Sequence, residues 1–292
     1  MTRFKTLAWS AAVCTYLLIV LGAVVRITHS GLGCGDHWPL CNGHLFPPLD
    51  DIGTVIEWSH RLVAALVSVL VVGLATLTWF LRRPVPPSAV VRRPNRMPYA
   101  ALGLLIAQVL LGAITVKLEL PAWSIVLHLG TAMLLLAALL AAATTGQLRV
   151  QTPGTRHLLP VVFITVLLGG LTANVGAAAA CGGFPLCNGQ VWITAGPLAW
   201  VQWIHRLFAY SLAIGVLVWT WRTQSRASLI VLGLVVLQVA LGATLVLAGL
   251  PRGVQAAHVA VGSAVWAVLV LAGLAPAATN AEAPGASSRS LG

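Results

Sequence analysis

The stretch Glu57-Trp-Ser-His-Arg-Leu62 places ionisable side chains just inside a long apolar segment that runs to about Leu81. Ionisable side chains are costly in membrane hydrocarbon, so those that occur there usually serve a function and have a partner. A nearly identical stretch, Gln202-Trp-Ile-His-Arg-Leu207, occupies a similar point of a later apolar segment. The pair of stretches predicts a membrane protein built from two related halves, with its function carried by these polar residues.

The composition supports a membrane location. Hydrophobic residues make up 59% of the 292-residue chain and charged residues only 8%, which excludes an ordinary soluble domain. Eight apolar stretches have about the 20 residues needed to cross a bilayer as helices. They cover residues 7–27, 54–81, 98–116, 124–145, 158–176, 198–221, 228–247 and 254–274. The predicted fold class is therefore an all-α membrane protein with eight transmembrane helices.

The basic residues predict the orientation, because cytoplasmic loops hold the excess of Lys and Arg. The predicted loops on the membrane side of the N-terminus hold most of the Lys and Arg residues: Arg3, Lys5, Arg82, Arg83, Arg92, Arg93, Arg96, Arg149, Arg156, Arg222 and Arg226. Both termini are therefore predicted to be cytoplasmic, and residues 276–292 to form a disordered tail. The net charge of +11 reflects this topology and attraction to anionic lipid rather than nucleic-acid binding.

An internal repeat divides the chain. Four landmarks recur: Leu40–Gly43 at Leu186–Gly189, His60 at His205, Gln108 at Gln238, and His128 at His258. The repeat predicts two tandem four-helix bundles, residues 1–147 and 148–275, related by a pseudo-two-fold axis along the membrane normal. Each repeated glutamine precedes a glycine by four residues and is expected to make an interhelical hydrogen bond.

Two outer loops each carry a pair of cysteines, Cys34 with Cys41 and Cys181 with Cys187, followed by Asn-Gly. On the oxidising side of a membrane such pairs persist as disulfides. The alternative is a zinc site that uses His37, but the second loop has no matching histidine. We predict two disulfides, with Cys14 left as a free thiol that serves packing.

Four histidines lie at similar depths in helices that all begin at the outer face, namely His60, His128, His205 and His258. At 1.5 Å per residue their side chains form one layer, roughly 6–11 Å below the outer boundary. Two histidines on different helices of one bundle suit the axial positions of a haem iron, which are approached from opposite faces of the ring. The alternative, that each histidine only bonds a neighbouring helix, accounts poorly for a pattern of four.

These motifs together resemble the haem A synthase family of membrane enzymes, and the resemblance extends over nearly the whole chain. It implies a bacterial cell membrane location and oxidation of a ring methyl of the substrate haem O to the formyl group of haem A. It also implies a resident haem b on His205 and His258, and a substrate site at His60 and His128. The resemblance further implies that an electron donor takes part and that the protein contacts haem O synthase and oxidase assembly factors. It is also compatible with an oligomer.

Glu57 distinguishes the halves, because Gln202 is its counterpart. It lies three residues from His60 and four from Arg61, so it can face the same ligand edge as His60 or pair with Arg61. The first arrangement allows proton handling, and the resemblance likewise implies a catalytic Glu57. Arg61 and Arg206 either bind haem propionates or extend to the surface. The same two alternatives hold for Arg26 near the outer end of the first span.

Two other function classes are compared. A di-haem electron-transfer cytochrome would place its haems toward opposite faces of the membrane, whereas these histidines share one level. A tandem-repeat small-molecule transporter would need broken helices and a polar site at the midplane, and the sequence indicates neither. The haem-oxidising enzyme accounts best for a chain in which one half has the carboxylate.

Overall fold

The computed structural model describes residues 2–36, 38–48, 50–81 and 95–275. Some residues used above lie outside these ranges: His37, Arg82, Arg83, Arg92, Arg93 and the tail 276–292.

Eight long helices make up the described structure. They are α1 (Thr2–Ile27), α2 (Ile52–Leu81), α3 (Met97–Lys117), α4 (Ala122–Ala143), α5 (Thr155–Asn174), α6 (Pro197–Thr223), α7 (Arg226–Leu247) and α8 (Arg252–Leu274). All eight are long and apolar enough to cross a membrane, and the described residues contain no β-strand. The prediction of an all-α membrane protein with eight transmembrane helices is confirmed.

Several helices begin or end a few residues outside the apolar stretches seen in the sequence. For α2 and α7 the reason is local capping, which hydropathy does not record. Asp51 immediately precedes α2, and its carboxylate accepts a 2.7 Å hydrogen bond from the Thr54 N–H, which starts the helix at Ile52. The hydroxyl of Ser225 likewise accepts from the Ser228 N–H at the start of α7.

The helices of each half contact one another in a ring. In the first half α1 packs on α2 and α4, and α3 packs on α2 and α4; α5 to α8 repeat this arrangement. Between the halves, α1 contacts α8, α4 contacts α5, and α4 contacts α8. Exchanging the halves maps this set of contacts onto itself, while the arrangement as two tandem bundles stays a prediction. The pseudo-two-fold axis along the membrane normal and the division at residue 147 stay predictions.

The main apolar core lies away from the disulfide loops, and a smaller apolar cluster packs around Cys181 and Cys187. The second half of α4, from Leu135 to Ala143, is buried throughout, and Leu269 of α8 is fully buried. The indole N–H of Trp266 donates to the carbonyl oxygen of Met133, which joins the two halves within this core. The membrane face that carries the disulfide loops, here called the loop face, is therefore the side where polar chemistry is found.

Candidate functional site

Both cysteine pairs form disulfides in the structure. Cys34 is bonded to Cys41 and Cys181 to Cys187, while Cys14 is free and half-buried, as expected. Sulfurs bonded to each other are not available as thiolate ligands, which removes the zinc alternative for these cysteines. Within the described part of the chain, no group of three or more His, Cys, Asp or Glu residues could hold a metal ion.

Glu57 ties the first disulfide loop to α2. Its side chain is only 4% exposed, and one carboxylate oxygen accepts a 2.8 Å hydrogen bond from the Cys34 N–H. The other oxygen accepts from the guanidinium of Arg61 at 2.5 and 3.2 Å. Arg61 also donates to the carbonyl oxygen of Leu40 at 2.6 Å. We call Glu57 and Arg61 the first loop clamp, since together they hold both ends of the disulfide loop.

Gln202 and Arg206 form the second loop clamp. The Gln202 side-chain oxygen accepts from the Cys181 N–H at 2.6 Å, as Glu57 does from Cys34. Arg206 is 7% exposed and donates to the carbonyl oxygens of Cys181, Gly183 and Leu186 at 2.9–3.0 Å. The two clamps therefore use the same positions, but only the first contains a carboxylate to balance the arginine charge.

The arginines of the site differ in their hydrogen-bond partners. The contacts above direct Arg61 and Arg206 toward the loop backbone, a role that the sequence alternatives did not include. Arg26 lies at the boundary between the halves, where its guanidinium donates to the side-chain oxygen of Gln255 on α8 at 3.1 Å. Among the arginines of the predicted site, Arg26 is thus the one that reaches from one half to the other.

The four histidines lie at nearly one depth. His60 and His205 stand eight residues after the starts of α2 and α6, and His128 and His258 stand six residues after the starts of α4 and α8. This corresponds to about 9–12 Å of helix below the loop face. The layer expected from the sequence is therefore present in the structure.

The histidines also fall into the expected pairs. His60 of α2 and His128 of α4 belong to the first half, and His205 of α6 and His258 of α8 belong to the second. Two rings on different helices of one half are compatible with axial ligation by two imidazoles.

One histidine is fixed by the backbone. Nδ1 of His205 lies 3.1 Å from the carbonyl oxygen of Thr165 on α5. A carbonyl can only accept, so the ring carries its proton on Nδ1 and keeps the lone pair of Nε2 free for a metal. The Nδ1 atoms of His60, His128 and His258 are buried without a hydrogen-bond partner among the described residues.

The repeated glutamines make the interhelical hydrogen bonds expected of them. Gln108 of α3 bonds the Thr131 hydroxyl of α4. The amide nitrogen of Gln238 on α7 lies 3.2 Å from Nε2 of His258 on α8. Because Nε2 is the nitrogen that would bind iron, Gln238 has to move aside if His258 becomes an axial ligand.

The residues present fit a haem with two imidazole ligands. Each half supplies one pair of half-buried rings, and His205 has the backbone partner that orients metal-bound imidazoles. The unpaired Nδ1 atoms of the other three rings are costly to bury, and such atoms often mark functional positions. Sequence reasoning included the Glu57–Arg61 pair, which the structure confirms. It missed the Thr165 contact and the contacts of both clamps with the loop backbone, since those partners are backbone atoms that any residue supplies.

Comparison with known proteins gives a consistent family. The family model described as cytochrome oxidase assembly protein matches residues 5–53 and 50–270. A haem A synthase of Bacillus pumilus is 34% identical over 219 residues, which are 69% of this chain and 69% of that protein. Haem A synthases of Bacillus licheniformis and Symbiobacterium thermophilum are 30% and 32% identical over 284 and 280 residues, each match covering 87% of this chain and 89% of the relative.

Proposed function

The chain belongs to the cytochrome oxidase assembly protein family, and from this membership we propose that it oxidises a ring methyl group of haem O to the formyl group of haem A. Its relatives place it in haem A biosynthesis, and its eight helices make it a multi-pass membrane protein. Haem O is the proposed substrate, and the loop face is the proposed outer face.

We assign the resident haem b to the second half. His205 and His258 would be its axial ligands, and a haem held there would supply one-electron transfer. The observation that carries this assignment is the hydrogen bond between His205 Nδ1 and the Thr165 carbonyl. A cofactor that stays bound benefits from a ligand whose tautomer and orientation are fixed.

The first half is the proposed substrate site. His60 and His128 lie at the same depth as the other pair, but their Nδ1 atoms have no partner in the described structure. Rings that are less constrained suit a haem that enters as substrate and leaves as product. The side chains of α1 to α4 are mostly apolar, and a hydrophobic site of this kind would exclude water from the reacting methyl group.

Glu57 is the residue we assign to proton handling. It is the only carboxylate in the two loop clamps, and on α2 it lies one helical turn from His60. Oxidation of a C–H bond is accompanied by proton transfer, for which a fixed carboxylate near the ligand layer can act as acceptor or donor. Its bonds to Arg61 and to the Cys34 N–H would hold it at one position throughout the reaction.

The depth of the histidines argues against a transmembrane electron carrier. All four rings lie within about 3 Å of one level along the helices, so two haems there would sit side by side. Electrons would then move laterally between halves rather than across the bilayer. Lateral transfer is what an enzyme needs when one haem is cofactor and the other is substrate.

The test is the identity of the haems that the protein retains and makes. The full-length protein is expressed with and without a source of haem O, purified in detergent, and its haems are extracted and separated by chromatography. We expect haem b alone without haem O, and haem A in addition when haem O is supplied. Retention of haem b with no conversion would identify an electron carrier instead, and absence of any haem would overturn both assignments.

A further inference from the structure

We propose that Gly22, Gly112, Gly169 and Gly242 are positioning residues that set the orientation of the four site histidines. This inference rests on the proposed haem ligation and goes beyond it, because it explains how a ring on one helix is aimed by the helix beside it. We call these four residues the glycine seats.

The seats have the same place in each helical hairpin. Each seat lies on the helix that precedes its histidine in the chain, five residues before the end of α1, α3, α5 or α7. A Cβ atom built on the seat would meet Cε1 of the histidine on the next helix. The distances would be 3.3 Å for Gly22 with His60, 3.4 Å for Gly112 with His128, 2.9 Å for Gly169 with His205, and 3.3 Å for Gly242 with His258.

In three of the four hairpins the same edge of the imidazole faces its seat, whereas at Gly169 both ring nitrogens of His205 lie 3.5 Å from the built Cβ. Nδ1 is the second closest ring atom at Gly22, Gly112 and Gly242, at 3.8–3.9 Å, and no other ring atom of these histidines lies within 4 Å of the built Cβ. Nε2 is therefore turned away from the seat in these three hairpins. A seat without a side chain thus lets the Nδ1 edge lie against the neighbouring helix and presents Nε2 for iron.

In the second half, the close approach of the His205 ring to α5 allows a hydrogen bond with the backbone. Thr165 is one helical turn before Gly169, and its carbonyl oxygen is the partner of His205 Nδ1 at 3.1 Å. With any Cβ at position 169, the ring could not lie over this turn and reach that oxygen, because the contact of 2.9 Å is shorter than real Cβ atoms allow. Gly169 and the Thr165 carbonyl therefore act together on His205.

Glycine is ordinarily unfavourable inside a helix, so weaker helix formation would not explain a loss of haem in a Gly→Ala variant. A helix-interior Gly→Ala substitution ordinarily favours the helix by up to about 1 kcal/mol. Gly103 on α3 and Gly233 on α7 have no neighbouring atom within 4 Å of a built Cβ. They lie on the same helices as two of the seats, so Gly103→Ala and Gly233→Ala are matched controls that add a Cβ without meeting a histidine.

The experiment compares purified full-length variants by haem content, optical spectrum and electron paramagnetic resonance of the oxidised low-spin haem, which responds to the orientation of axial imidazoles. For Gly169→Ala we expect the affinity for resident haem to fall by about 10-fold or more, since the ring must move away from Thr165. For Gly242→Ala we expect a milder loss of about 2- to 10-fold, with a shifted resonance spectrum.

The remaining variants separate the possible failures. Gly233→Ala should keep the haem content and resonance spectrum of the unaltered protein, and Gly22→Ala should keep its resident haem while binding added haem O more weakly. Size-exclusion profiles show whether each variant is folded; if Gly169→Ala is not, Gly242→Ala carries the test. A Gly169→Ala or Gly242→Ala variant that is folded and spectrally normal, or a Gly233→Ala variant that changes as much as Gly242→Ala, overturns the proposal. Absence of haem from the unaltered protein would instead overturn the proposed function.

Discussion

The two loop clamps are alike in position and different in charge. Glu57 and Gln202 both accept the N–H of the first cysteine of their loop, and Arg61 and Arg206 both donate to the carbonyl of the leucine before the second cysteine. Holding the loop therefore does not require a carboxylate, since an amide oxygen suffices in the second half. Glu57 and Gln202 thus share the structural task of holding the loop, and any further role belongs to the Glu57 carboxylate alone.

The histidines show a second difference between the halves. His205 has a backbone partner at Nδ1 and the tightest glycine seat, whereas His60 has neither. One half therefore holds its first imidazole rigidly and the other leaves it adjustable. This is the difference expected between a site for a permanent cofactor and a site for a substrate that must leave.

Removal of an axial imidazole is expected to have the largest effect and to break the symmetry of the halves most clearly. His205→Ala or His258→Ala should abolish the resident haem and its low-spin spectrum, because the iron loses one of two protein ligands. His60→Ala should retain both. Haem stoichiometry and optical spectra of the purified variants measure this, and loss of resident haem only in His60→Ala would reverse the assignment of the halves.

Glu57→Gln makes the first clamp a copy of the second. The Cys34 N–H keeps an acceptor, as Gln202 demonstrates for Cys181, so the fold and the resident haem should be preserved. Haem A formation should fall by roughly 10²–10⁴-fold if the carboxylate handles protons. The control is Gln202→Glu, which adds a carboxylate to the other clamp and should leave the rate unchanged. Near-normal haem A formation by Glu57→Gln would reduce Glu57 to a loop anchor.

Each disulfide should affect only its own half. In the chain-entropy account, loops this short lose about 2.5 kcal/mol of constraint when opened. Replacing Cys34 and Cys41 by serine should loosen the loop backbone whose Cys34 N–H bonds Glu57. Haem A formation should then fall, but by less than in Glu57→Gln, and the resident haem should be retained. Replacing Cys181 and Cys187 should weaken retention of the resident haem. Identical defects in both variants would show that the loops act as one unit.

The smallest expected effect concerns the start of α2, which Asp51 caps, whereas α6 begins after Gly196 with no side-chain cap. The Thr54 backbone N–H, followed by the Thr54 hydroxyl, lowers the pKa of Asp51 below its usual 3.8. A lowered pKa means that the stabilisation is present above pH 3.8 and is lost as the pH falls through the folded-state value. Hydrogen exchange at pH 5 and pH 3 should show loosening around Thr54 but not at the start of α6. Asp51→Asn should remove this pH dependence.

Much of the fold could be predicted because the bilayer fixes helix length and the repeat fixes which residues correspond. His60 and His205 recur at the same depth, and the Cys-Asn-Gly ends of the loops recur with them, so the histidine layer and both disulfides follow from spacing. The Gln108 and Gln238 hydrogen bonds followed from polar side chains placed in apolar helices.

The contacts that aim these residues could not be predicted from sequence alone. The partners of Arg206 are three backbone carbonyls, and the partner of His205 is another, so no residue type marks them. Gly169 is one of many glycines in apolar helices, and sequence does not say which of them meets a ring. The cap that starts α2 at Ile52 is likewise a geometric property of Asp51 and Thr54.

The shallow position of the histidine layer has an electrical consequence. A charge that travels from the loop face to this layer crosses about a third of a 30 Å hydrocarbon core, because the rings lie six to eight residues inside their helices. It therefore exchanges only about 0.8 kcal/mol with each 100 mV of transmembrane potential. The packed apolar half beyond the layer acts as an insulator on the opposite side. If the proposed reaction exchanges its protons and electrons at the loop face, the membrane potential should affect it only weakly, and the reaction is expected to proceed at similar rates in energised and de-energised vesicles.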